Sequence, residues 1–92
     1  MAEAELLRIA GRVQGVGYRY WLEGQARGAG LRGWVRNRRD GSVEALLIGD
    51  QLAIERVVAA CRQGPRMAAV SAVERSPASD DGSAGFRTLP TA

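Results

Sequence analysis

Between Gly11 and Arg19 the chain reads GRVQGVGYR, with glycines at 11, 15 and 17, arginines at 12 and 19, and no acid between them. Glycine reaches backbone conformations that let neighbouring N–H groups converge on one point. A helix start leaves its first N–H groups without partners, so a glycine-bearing turn into a helix accepts an oxyanion. Arg19 falls in the first turn of a helix-like run, where the dipole disfavours a cation unless an anion lies between them. The chemistry suggested is capture of a phosphate-sized oxyanion. On these residues alone, a tight connection whose glycines only avoid clashes accounts for the turn equally well, and the arginine tips the reading toward anion binding. Asn37 is the second polar candidate. It ends a strand-like run just before a hairpin, where a turn asparagine bonding its own backbone is the plainer account.

These residues need elements to position them. Leu7, Ile9 and Val13 share one face of a half-buried strand, with Arg8 and Arg12 on the other. From Tyr18 the spacing turns helical, through Leu22, Ala26 and Ala29, although Gly24 and Gly28 each weaken that helix by roughly 1 kcal/mol relative to alanine. A second strand carries Leu31, Gly33, Val35 and Asn37 on one side and Arg32, Trp34 and Arg36 on the other. Asp40-Gly41 is a hairpin turn, and Val43 to Ile48 is the returning strand. Asp50 caps a second helix with the stripe Ile54, Val57, Val58 and Cys61, stopped by Gly64-Pro65.

Met67 to Arg75 is read as a fourth strand, with Val70 and Val73 breaking a clean period of two. Ser76 to Gly85 is read as a long, mobile surface loop, Phe86 to Leu89 as a short edge strand, and residues 90–92 as a frayed tail. The order βαββαβ, with an optional fifth strand, predicts an α+β ferredoxin-like sandwich in one domain. Its antiparallel sheet has four to five strands, with two helices on one face.

The 92 residues suffice for one core. No apolar run approaches the ~20 residues of a membrane span, and MAEAELLRI lacks the features of a signal peptide, so a cytoplasmic location and no membrane partner are expected. The single cysteine excludes an internal disulfide, and Cys61 is read as buried filler. With no histidine and no cysteine pair, zinc sites and histidine-based triads are excluded. All thirteen basic residues are arginine, a bias that genomic composition alone accounts for, so position rather than number must select among them.

Two motifs are rejected. Gly28, Gly30 and Gly33 spell GxGxxG, but between a helix and a strand, the wrong context for a dinucleotide site. Arg32-Gly33-Trp34-Val35 echoes an RNA-recognition signature, yet on the second strand, while the third, VEALLI, has no aromatic to stack a base. Trp34 is read as packing beside arginine stems, and a non-catalytic RNA- or anion-binding module remains the alternative function.

GRVQGVGYR followed by GLRGWVRNRRDGSVEA resembles the acylphosphatase family, and the resemblance runs from about Leu6 to Val73 with Phe86 near the expected last strand. It implies a hydrolase of acyl phosphates. The phosphoryl group would lie in a cradle over Gln14, Gly15, Val16, Gly17, Tyr18 and Arg19, with Arg19 the essential arginine and Asn37 the residue that positions water. It further implies no metal or other cofactor, inorganic phosphate or another oxyanion as a ligand of the same site, no nucleic-acid partner, and a monomer. Relatives often carry Ser or Thr after the asparagine. Arg38 stands there in this chain, so a hydroxyl bond steadying Asn37 is not expected.

Overall fold

The computed structural model describes residues 2–92. Its elements are β1 (Glu3–Arg12), α1 (Tyr18–Gly28), β2 (Arg32–Asn37), β3 (Val43–Gly49), α2 (Gln51–Cys61), β4 (Ala69–Pro77) and β5 (Phe86–Thr88). The sheet order is β4-β1-β3-β2-β5. The first four strands pair antiparallel, as expected, and β5 joins β2 in parallel. Leu7, Ile9, Val35, Val43, Ala45 and Leu47 from the sheet meet Tyr18, Leu22, Ala26, Ile54, Val57, Val58 and Cys61 from the helices in one buried cluster. Each large apolar side chain fully buried there contributes roughly 1.5–3 kcal/mol. No described helix is long and apolar enough to cross a membrane.

This topology decides where the two candidate segments go. Both β1 and β2 run antiparallel to β3, which lies between them, so their C-terminal ends emerge at the same edge. The glycine turn after β1 and Asn37 at the end of β2 therefore belong to one end of the sheet, and parallel β5 brings Thr88 to the same end.

One sequence reading is explained and two expectations change. The period in β4 breaks because Ala10 pairs with Ala72 while Gly11 pairs with Val70, leaving Ser71 as the extra residue of a bulge. Ile9 faces Val73 and Gly11 faces Val70 across it, so both valines turn toward the core. Gly11 is needed at this point: its φ is 118°, and a Cβ there would lie 2.3 Å from the Ala69 carbonyl oxygen.

The segment expected to be a long mobile loop is shorter and tied down. Ser76 and Pro77 belong to β4. Beyond them, Arg32 bonds Asp80 and donates to the Ser83 carbonyl at 2.7 Å, and Trp34 Nε1 donates to Asp81 at 3.1 Å. The tail is not frayed either. Leu89 N–H donates to the Val35 carbonyl at 2.8 Å and Ala92 N–H to the Asn37 carbonyl at 3.0 Å, extending the run beside β2.

Candidate active site

Arg12 ends β1, and Val13 to Gly17 turn the chain into α1. Gly15 and Gly17 adopt left-handed φ values of 73° and 78°, conformations that side-chain-bearing residues take at a cost. Gly17 is the cap residue of α1 and supplies no side-chain acceptor, and no acid stands in the first turn. Among the described residues, the N–H groups of Gly15, Val16, Gly17, Tyr18 and Arg19 find no acceptor in the protein. Unpaired amides at the positive end of a helix are an anion-binding arrangement.

Among the described residues, Arg19 is half-buried beside them and makes no ion pair, while seven arginine–carboxylate pairs form elsewhere. The chain thus keeps acids away from the guanidinium that the glycine turn presents. The start of α1 is held firmly from below. Tyr18 is buried, its hydroxyl donates to the Cys61 carbonyl at 2.7 Å, and its ring meets Trp21 edge-on at 5.3 Å. A Cβ on Gly64 would lie 2.7 Å from that ring, so the turn after α2 packs directly on it. Burial, reinforced by Cys61, pushes the Tyr18 hydroxyl far above its ordinary range, so it serves as an anchor rather than an acid. Burial likewise pushes the Cys61 thiol up to about 11, which fits the filler expected from the sequence.

Arg19 and Asn37 line one open hollow of about 400 Å³, together with Val13, Gly15, Gly17, Tyr18, Tyr20 and Thr88. Asn37 Oδ1 is buried and has no hydrogen-bond partner among the described residues. A turn asparagine bonding its own backbone would have shown the opposite. The absence of a hydroxyl at position 38 is consistent with this, since Arg38 instead turns to Glu44 at 3.5 Å. A buried acceptor left free is unusual in a folded protein and marks Asn37 as a residue not explained by the fold alone.

Sequence reasoning missed what joins the two halves. Gln14, in the glycine turn, is not among the residues that line the hollow, and its side chain reaches the β2–β3 hairpin. Its Nε2 donates to the Arg38 carbonyl at 2.7 Å and to the Ser42 carbonyl at 2.8 Å. One carboxamide therefore clasps the β2–β3 hairpin just beyond Asn37. No local pattern signals this bond, because its partners lie 24 and 28 residues away. Asp40 stiffens the same hairpin by accepting from the Ser42 N–H and hydroxyl, and those bonds hold its carboxyl below the usual range.

The resemblance read from the motifs is matched by comparison with known proteins. The acylphosphatase family profile matches residues 6–88. The chain belongs to the acylphosphatase family. An acylphosphatase of Azoarcus sp. (strain BH72) is 53% identical over 88 residues, covering 96% of this chain and 90% of the relative. The crystal structure of acylphosphatase from Bacillus subtilis superposes with a TM-score of 0.91 at 34% identity, covering 97% of this chain and 99% of that one. An acylphosphatase from Coxiella burnetii gives 0.92 at 30% identity, over 96% of this chain and 93% of its own. The RNA-stacking alternative loses its platform: the Arg36 guanidinium lies 4.8 Å from the Trp34 ring centroid, and the ring's edge is bonded to Asp81. Among the described residues, no three His, Cys, Asp or Glu side chains are grouped to hold a metal ion.

Proposed function

We propose that this acylphosphatase hydrolyses acyl phosphates with Arg19 and the amides of the Gln14–Arg19 turn holding the phosphoryl group and Asn37 orienting the water. One observation carries the reading: the acid-free Arg19 and the partnerless Asn37 line the same hollow. The substrate is a mixed anhydride whose leaving group is a carboxylate, so departure needs no strong acid and attack needs little base. Water, oriented by the Asn37 carboxamide, attacks phosphorus in line as the bond to the acyl oxygen breaks. The electron pair leaves with the carboxylate, and the water's proton passes to a phosphoryl oxygen, giving carboxylate and inorganic phosphate. The turn amides and Arg19 stabilise the charge on the equatorial oxygens, a positive field that needs no metal. Gln14 contributes its backbone to the turn and its side chain to the alignment of the hairpin. The reading has the chain acting as a cytoplasmic monomer.

Steady-state hydrolysis of benzoyl phosphate, with inorganic phosphate as inhibitor and EDTA present throughout, tests the assignment. Wild-type protein turns over, and Asn37→Ala lowers kcat by about a hundredfold or more while the phosphate inhibition constant stays within a few-fold. Loss of phosphate affinity matching the loss of rate would count against water positioning. Activity abolished by EDTA and restored by metal would refute the metal-free mechanism.

A further inference from the structure

Tyr20 is the one aromatic residue of the hollow, among the described residues, whose side chain the fold and the mechanism leave unused. It is 82% exposed, the most exposed large apolar side chain among the described residues, yet it stands in the first turn of α1, next to Arg19. Its aromatic neighbours are committed elsewhere: Tyr18 is buried, and Trp21 packs on it. An exposed tyrosine at one point of a helix needs no explanation, but one that also lines the catalytic hollow is placed to meet the substrate.

In-line displacement says which part of the substrate it meets. Water approaches phosphorus from the Asn37 side, so the acyl oxygen departs on the opposite side. Thr88 is paired to Val35, two residues before Asn37, and so belongs to the water's wall. Val13 is only 1% exposed and lies beneath. Tyr20, on the helical wall, is the apolar surface that remains for the acyl group.

We infer that Tyr20 is a specificity-determining residue, whose ring packs against the acyl moiety and favours aromatic acyl phosphates over small aliphatic ones. This rests on the proposed hydrolytic reading and adds the substrate class to it. An aromatic pair at a partly exposed site discriminates by roughly two- to tenfold.

The test measures kcat/KM for benzoyl phosphate and for acetyl phosphate on wild type, Tyr20→Ala and Tyr20→Phe, each pair on one preparation. The ratio of the two values does not depend on the fraction of folded protein. Tyr20→Ala should reduce the benzoyl-to-acetyl ratio two- to tenfold, chiefly through a higher KM for benzoyl phosphate, and Tyr20→Phe should keep the wild-type ratio. An unchanged ratio in Tyr20→Ala, with wild type active on both substrates, overturns the inference and leaves the hydrolytic reading standing. Wild type inactive on both would overturn the reading itself, and the inference with it.

Discussion

Arg19 sits where the helix dipole makes a cation unwelcome, without an acid to offset it, beside five amides that have no acceptor. Asn37 sits with a buried oxygen that has no donor among the described residues. On the proposed reading the cost at Arg19 is recovered when an oxyanion occupies the hollow, and local misfits of this kind gather at sites of chemistry. Glycines show how differently one residue type can be constrained. Gly24 lies inside α1 with nothing within 4 Å of where its Cβ would stand, so Gly24→Ala should stabilise the protein by roughly 0.5–1 kcal/mol. Gly33 has a φ of 134°, and its Cβ would lie 1.9 Å from the Leu46 carbonyl oxygen. Gly33→Ala should therefore destabilise by at least about 1–3 kcal/mol. Urea denaturation of the two variants reads both signs, and a destabilised Gly24→Ala would show that the helix needs glycine for packing.

The elements were legible where a local rule dictated them, and less so where a distant partner did. The Ile54–Cys61 stripe, the Asp50 cap and the Asp40-Gly41 turn each follow from neighbours in sequence, and each is present. The β4 bulge, the anchored 78–85 segment and the paired tail depend on β1 and β2, tens of residues away. Arg75 is of the same kind. From β4 it makes paired bonds to Glu5 of β1, both 2.8 Å, and to Glu55 of α2, at 3.0 and 2.5 Å. Those bonds are the first cause holding both carboxyls below their ordinary value of 4.5. A carboxyl whose folded value is depressed stabilises the fold above its unfolded value, and that stabilisation is lost as pH falls through the folded one. The melting temperature should therefore fall from about pH 4.5 downward. Arg75→Leu should melt lower at neutral pH, and its deficit should shrink as the solution becomes more acidic. A deficit independent of pH would mean that Arg75 acts through packing alone, and the solvent exposure of the cluster keeps the effect modest.

At the scale of the molecule, the strand order does the work that neither motif could do alone. Because β3 lies between parallel-running β1 and β2, two segments 18 residues apart, at Arg19 and Asn37, reach one hollow. The residue types of both halves were visible in the sequence, and so was the order of elements. Their junction was not, since it rests on the Gln14 carboxamide spanning from the turn to the hairpin. Behind that junction stand Tyr18, Cys61 and Gly64, which fix the start of α1 against α2 and so aim the amides. The central claim is that Arg19, held there without a partner, binds the phosphoryl group and stabilises its charge during transfer. The most direct measurement is kcat/KM for benzoyl phosphate in Arg19→Ala, with circular dichroism confirming a folded domain. The account predicts a loss of about 10³-fold or more together with weakened inhibition by inorganic phosphate. Near-wild-type turnover by the folded variant would contradict it.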